Sequence, residues 1–376
     1  MKAIVHVGSP KAGSTSIQVF LERNSSALAQ QGIRYQRHTK RFSAQVEFGV
    51  AACSAAGRMI TQGPMRGKLG IHDLESQKAF SDDFLKQFKR QRKRWKEDEF
   101  VLSAEQFQVW LNTPELIAVF DDLLGKHFDE VRYVLYLRAP EELALSGYSE
   151  RLKQGMIKTF DEFLDTRPLK RANQNVAVRR WEDVVGPDRL DVRLLDRDFL
   201  VEGDLIADFC HVLGISPEGL KQPPRVNQSL SAEAAAFLLR FNRLIPELGS
   251  DGRTNPLRGA VADEITKMSD QGRPLRMTPQ QFERIRAETA KGCEALRARR
   301  FPQQVQLYSS DVERLVETNP PPEASDLDAA ITLAVKLYAM TRMGDLQALS
   351  GSRRTRAILH EDGSPPAPAS TGMEKK

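Results

Sequence analysis

The chain has 376 residues, 40% of them hydrophobic and 28% charged, with 55 Lys and Arg against 50 Asp and Glu. That length suits one large domain or two ordinary ones, and the balance excludes both wholesale disorder and a membrane bundle. A net charge of +5 suits an anionic ligand without singling out nucleic acid. Cys53, Cys210 and Cys293 are far apart and form no CxxC pair. A disulfide framework and a Cys-based zinc site are therefore not expected, and a reducing cytoplasm is the natural setting. The apolar start Ala3–Val7 stops at Gly8, too short for a signal peptide, and no apolar run is long enough for a membrane span.

Ala3 to Val7 is short, β-branched and ended by Gly8-Ser9-Pro10, which predicts a buried strand. Ile17, Phe20, Leu21 and Leu28 then recur at helical spacing, with Ser14 to Ser16 supplying N-cap chemistry. Further strands are expected at Phe100–Leu102, Val131–Leu137 and Leu190–Leu195. Helices are expected between them, as at Pro114–Leu124 and at Thr159–Leu164, which opens with a capping-box spacing. This alternation predicts an α/β fold with a mostly parallel sheet. Beyond about Leu200 the signal is mainly helical. Ser231 is placed to cap a helix carrying Phe237, Leu238, Phe241 and Leu244, and Thr278-Pro279-Gln280-Gln281 opens another. Asp326–Met343 reads as a further helix, and the Gly, Ser, Pro, Ala and Lys tail from about Glu361 as disordered.

The segment Gly8-Ser9-Pro10-Lys11-Ala12-Gly13-Ser14-Thr15-Ser16 carries the most chemistry. It joins a strand to a helix N-terminus, whose free N–H groups and partial positive charge suit phosphate or sulfate oxygens. Gly13 lets the backbone approach an anion, Lys11 adds a charge, and three hydroxyls add donors. The Walker A pattern GxxxxGK[ST] is absent, because Lys11 precedes Gly13 instead of following it. The plain alternative is an ordinary strand–helix turn with a capping serine.

Strand, then PK-x-G-[ST]-[ST]-[ST], then helix resembles the 5′-phosphosulfate loop of sulfotransferases that use 3′-phosphoadenosine 5′-phosphosulfate. A second stretch, Tyr133-Val-Leu-Tyr-Leu-Arg138-Ala-Pro140 continuing to Leu145-Ser146-Gly147-Tyr148, resembles their 3′-phosphate site, an Arg at a strand end with a Ser eight residues on. Ligands of open α/β sheets bind beyond the carboxyl ends of strands, and the Arg fork matches phosphate oxygens. The alternative is a surface Arg138 paired with Glu141 or Glu142, beside a solvent-facing Ser146. Trp181–Leu195, Asp208–Ile215 and Arg225–Ser231 also resemble bacterial sulfotransferases. The RKG…G loop of the cytosolic enzymes is missing, with Arg225 and Asn227 as possible substitutes.

The resemblance implies a P-loop-like central parallel sheet flanked by helices, with a mainly helical C-terminal part. It implies a sulfotransferase domain at 1–305, a helical extension at 306–360 and a disordered tail at 361–376. The implied nucleotide residues are Lys11, Ala12, Gly13, Ser14, Thr15, Ser16, Arg138 and Ser146. Lys11 would neutralise charge on the transferred group, and no metal is expected. For the base, Phe100-Val-Leu-Ser-Ala-Glu105 has Glu105 just after the second strand, where cytosolic sulfotransferases keep a His and heparan sulfate-type enzymes use a Glu. The alternative is that Glu105 is a first-turn helix residue capped by Ser103. His6 reads as a hydrogen-bonded core residue, and the histidines show no metal-ligand spacing. Lys86–Lys96, with seven basic residues, reads as a solvated helix face, with a nucleic-acid patch and the flank of a groove for an anionic saccharide as the alternatives. The expected activity is sulfuryl transfer to a hydroxyl or amine, on a saccharide or glycoconjugate, by a cytoplasmic enzyme. The alternatives are a P-loop kinase and a non-catalytic module binding a nucleotide or anionic glycan.

Overall fold

The computed structural model of the protein describes residues 1–39, 42–61, 63–166, 168, 173–224, 229–245, 255–269, 272–309 and 312–317, with isolated positions at 331, 334, 335 and 339. Of the predicted Asp326–Met343 helix only positions 331, 334, 335 and 339 are described, and all four are helical; the tail, Arg225 and Asn227 lie outside the described residues. In chain order the first elements are β1 (Lys2–Val7), α1 (Ser14–Arg23), α2 (Ser25–Gln30), β2 (Ile33–Tyr35), α3 (Glu47–Ala55), α4 (Gly63–Leu69) and α5 (Leu74–Arg92). Next come β3 (Glu99–Ala104), α6 (Gln106–Trp110), α7 (Pro114–Gly125), β4 (Glu130–Leu137), α8 (Pro140–Lys153), α9 (Phe160–Asp165), α10 (Gln174–Val185) and β5 (Leu190–Leu194). The last are α11 (Leu205–Leu213), α12 (Ala232–Leu244), α13 (Pro256–Met268), α14 (Pro279–Arg300) and α15 (Val312–Leu315).

The strands form one parallel sheet in the order β2-β3-β1-β4-β5, flanked by helices, as the α/β alternation predicts. β1 is central and covered on both faces, which is why it reads as a continuous apolar run. Ala3, Val5 and Val7 face a core with Phe48, Phe107 and Trp181, whereas Ile4 faces Ile17, Phe20 and Phe209. The helix expected to carry Leu28 is two helices. Asn24 closes the first, since its side-chain amide donates to Phe20 O (2.8 Å) and Lys221 O (2.9 Å) while its Oδ1 accepts from Lys221 N (2.8 Å). His6 is a buried core residue, as expected. Its Nδ1 lies 2.8 Å from Ser103 Oγ, and burial pushes its pKa down to about 3, so the ring is neutral.

Two Tyr–Asp–Arg groups brace β4 and its flank. Tyr133 donates to Asp121 (2.6 Å), which takes both nitrogens of the Arg189 fork at 2.9 and 2.7 Å. Tyr136 donates to buried Asp208 (2.6 Å), which is gripped by Arg193 at 2.6 Å through each oxygen. Three residues apart on a strand, the tyrosines point to opposite faces. Burial alone would raise the Asp208 carboxyl. Arg193, Tyr136 and the Val201 N–H outweigh it and hold the group below its ordinary value.

The chain divides into two compact units. The first contains Met1–Tyr148, Phe160–Asn227 and Arg276–Thr318, and therefore the whole sheet. Within it, α14 opens with the predicted capping box between Thr278 and Gln281. It docks on α10, where buried Glu182 pairs with Arg299 and with Arg300 (3.3 Å), and Arg300 Nη2 donates to Leu190 O (2.7 Å). On α5, Phe84 and Phe88 are buried while Lys86, Lys89 and Arg90 are exposed, and Trp95 stacks on Phe100 at 5.1 Å. The second unit contains Ser149–Thr159 and Gln228–Leu275. There Ser231 caps α12 through Ala234 N (3.1 Å), and Asn242 donates to Leu152 O (2.8 Å) and Met156 O (2.9 Å). Among the described residues, no helix is long and apolar enough to cross a membrane.

Candidate functional site

The loop after β1 leaves the sheet at its carboxyl edge. Gly8 N donates to Ala104 O (3.2 Å), and Ala12 N turns back onto Ser9 O (3.2 Å). Lys11 and Gly13 both have left-handed backbones, at φ 63° and 81°. For Lys11 this costs about 1–2 kcal/mol. Arg138 holds the strained residue in place, since its Nη1 donates to Lys11 O at 3.0 Å. Gly13, not a serine, is the N-cap of α1, and no side chain caps this helix. The expectation that Ser14 to Ser16 supply the cap is thus corrected: these hydroxyls stand in the first turn, because a left-handed residue at position 13 starts the helix there. Ala12 and Ser14 are buried, Lys11 and Ser16 half-buried, and Thr15 exposed. Ser14 Oγ has no hydrogen-bond partner among the described residues.

Glu105 comes to this loop from the neighbouring strand. The parallel register pairs Val7 with Ala104, so the residue after each strand meets the other. A methyl group on Gly8 would lie 2.9 Å from Glu105 Cα, which shows how closely the two backbones approach. Glu105 itself holds the N-cap position of α6 and is half-buried. Ser103 is not its cap, as the alternative reading had it. Ser103 is a buried strand residue bonded to His6, because β3 runs on to Ala104.

Arg138 follows β4, on the other side of β1. The three candidate segments therefore stand past the carboxyl ends of β3, β1 and β4, adjacent strands reached by crossovers in opposite directions. Open α/β sheets bind ligands at such a point. Arg138 is half-buried, and desolvation lowers its pKa without neutralising a guanidinium. Its Nε donates to Glu142 at 2.7 Å, the pairing that sequence spacing offered as an alternative, alongside the Lys11 carbonyl contact. Ser146 is half-buried on α8, one turn beyond Glu142 and so on the same helix face. Past β4 and β5 lies a cavity of about 590 Å³ whose lining includes Arg138, Leu195, Leu200, Leu205 and Arg314. Leu205 also packs against Gly13, where an added Cβ would come within 2.3 Å of it. Sequence reasoning missed Leu205 and Arg314, because neither lies within a motif.

The chain matches no family model. An uncharacterized protein of Archaeoglobus fulgidus is 27% identical over 143 residues, which are 38% of this chain and 38% of that protein. The chain thus matches little more than a third of that relative's length. Among solved structures, a sulfotransferase from Alicyclobacillus acidocaldarius is similar at 17% identity and a TM-score of 0.43, over 78% of this chain and 94% of that one. The sulfotransferase domain from the curacin biosynthetic pathway is similar at 11% identity and a TM-score of 0.34, over 77% and 97%.

Proposed function

We propose that the protein is a sulfotransferase that moves a sulfuryl group from 3′-phosphoadenosine 5′-phosphosulfate to a hydroxyl or amine, on a saccharide or glycoconjugate acceptor. One observation carries the reading. Lys11, Glu105 and Arg138 follow three adjacent strand ends, with the Arg138 guanidinium bonded to the Lys11 carbonyl at 3.0 Å. The residues present fit the nucleotide. Among the described residues, buried Ser14 Oγ lacks a partner and no side chain caps α1, and Arg138 stands at the wall of a cavity of about 590 Å³.

In this reading the bound nucleotide supplies the activated sulfuryl group. The first-turn amides of α1, the Ser14 hydroxyl and Lys11 hold its 5′ end and stabilise developing negative charge. Arg138 and Ser146 hold its 3′-phosphate. Glu105 accepts the proton of the acceptor hydroxyl or amine as that atom attacks. His6 is unsuited to that task, being enclosed in the core with its pKa pushed down to about 3.

Calorimetry with 3′,5′-bisphosphoadenosine and with AMP tests the nucleotide assignment. The bisphosphate binds much more tightly, and Arg138→Ala removes about ten-fold or more of that preference, the scale of a charge-assisted hydrogen bond. Equal affinities would remove the Arg138–Ser146 assignment. With an acceptor found by a labelled-sulfate screen, Glu105→Gln lowers turnover by about 10²–10⁴-fold at unchanged nucleotide affinity. Normal turnover in a folded Glu105→Gln protein would exclude Glu105 as the base.

A further inference from the structure

The cavity beyond β4 and β5 has a second cationic wall, built by the segment after α14. This segment is fastened to the sheet-bearing unit at several points. The Ser309 N–H and hydroxyl both donate to Asp196, at 2.7 and 2.8 Å. Met277 N donates to Leu315 O (2.9 Å) and Glu317 N to Met277 O (2.8 Å). Its own Leu307, Tyr308 and Leu315 are buried. From α15, Arg314 reaches the cavity that Arg138 lines.

Between the two arginines lies Glu142. Its Oε2 accepts from Arg138 Nε at 2.7 Å, and its Oε1 pairs with Arg314 Nη2. One carboxylate thus has each oxygen on a different guanidinium, which is the geometry of a bridging anion. The guanidiniums are close enough that Arg138 adds to the desolvation already lowering the pKa of Arg314. At the rim, Arg197 and Asp198 are exposed and opposite in sign, and Asp196 is engaged by Ser309. At the Arg138–Glu142–Arg314 bridge one carboxylate is shared by two guanidiniums. The Glu142 and Arg314 side chains are 16% and 53% exposed, so exchange of partners does not require the core to open.

We propose that Glu142 is an internal stand-in for a phosphomonoester: it bridges Arg138 and Arg314 until a nucleotide phosphate displaces it, and Arg314 is then a second arginine on that phosphate. This rests on the nucleotide reading above. A phosphate dianion has the charge for both guanidiniums and enough oxygens to engage both, whereas the carboxylate gives each one oxygen. The phosphate is the nucleotide's second one, since it is the one assigned to Arg138.

The test is calorimetric titration of the full chain with 3′,5′-bisphosphoadenosine and with AMP, in wild type, Arg314→Ala and Glu142→Gln. Arg314→Ala weakens the bisphosphate by about five- to ten-fold, a charge-assisted contact discounted for exposure, and leaves AMP unchanged. Glu142→Gln, which keeps the side-chain size and removes the competing charge, tightens the bisphosphate by about two- to fivefold. A merely structural ion pair would shift the melting temperature in both variants and leave the bisphosphate-to-AMP ratio alone. An unchanged ratio in Arg314→Ala, or no tightening in Glu142→Gln, overturns this assignment while leaving the nucleotide reading intact. A wild-type protein that does not prefer the bisphosphate overturns the nucleotide reading and this assignment with it.

Discussion

Gly8 is the residue where the loop and Glu105 are pressed together, and replacing it with Ala separates two effects. The new methyl would lie 2.9 Å from Glu105 Cα, 3.1 Å from Glu105 N and 2.4 Å from Ser14 Oγ. The serine hydroxyl can rotate away. The Glu105 backbone cannot, because β1 and β3 are locked in register up to Val7–Ala104 and Gly8 N donates to Ala104 O at 3.2 Å. Overfilling a packed site costs ~1–3 kcal/mol, and weakening that hydrogen bond adds ~0.5–1.5 kcal/mol. The lower entropy of the unfolded alanine chain returns about 0.4–1 kcal/mol. Gly8→Ala should therefore destabilise the protein by about 1–3 kcal/mol in urea unfolding. It should also weaken nucleotide binding, since the loop is pushed off its seat. Adding Ser14→Ala to the variant should not restore stability, because the backbone contact survives. Recovery of wild-type stability in the double variant would refute the reasoning.

Asp208→Asn keeps the shape but takes from half-buried Arg193 its main counter-charge, leaving it Asp191 at 3.4 Å, and should cost about 2–3 kcal/mol in denaturant unfolding at pH 7. Since the folded state holds the Asp208 carboxyl below its ordinary value, its contribution is complete above about pH 4. It is lost as the pH falls further, so wild type and variant should converge in acid. Glu47 has the opposite sign. It is 2% exposed, accepts from Thr39 N at 2.9 Å, and burial raises its pKa to about 7. Folding then favours its neutral form, and wild-type stability should decline from about pH 4.3 to pH 7. Glu47→Gln should remove that slope and be more stable by a few kcal/mol at pH 8, which thermal unfolding across pH would show. Under the proposed function, sulfuryl transfer should survive EDTA, with Lys11 and the α1 N-terminus supplying the positive field. Loss on chelation, restored by Mg²⁺, would favour a kinase.

What could be read from the sequence was whatever changed period over several residues. The switch from the Ala3–Val7 run to the Ile17–Phe20–Leu21 spacing located both the central strand and the loop that leads from it into α1. β2 escaped because Ile33, Arg34 and Tyr35 are too few to show a period. The serines at 14 to 16 and at 103 suggested caps, but a hydroxyl near a helix start says nothing about backbone φ or strand length. Gly13 and the extension of β3 decided those positions instead. The Arg138–Glu142 pair was visible as an i, i+4 spacing. The Arg138 bond to the Lys11 carbonyl, 127 residues away, and the Arg314 pairing were not, because only the sheet order and the segment after α14 bring them together.

The hydrogen bond from Arg300, at the end of α14, to β5 has a consequence for how the molecule keeps to itself. β5 is the last strand of its sheet, and an open strand edge is a template on which another chain can hydrogen-bond. Leu190, Val192 and Leu194 make it apolar enough on one face to be a hazard. The Arg189 carbonyl accepts from Tyr133 N on β4, so the next carbonyl, that of Leu190, points outward. That outward carbonyl is the one Arg300 occupies, and Glu182 anchors the same guanidinium from behind. An incoming strand would have to break this charged hydrogen bond before making a ladder contact at Leu190. The end of α14 thus acts as a plug against edge-to-edge aggregation.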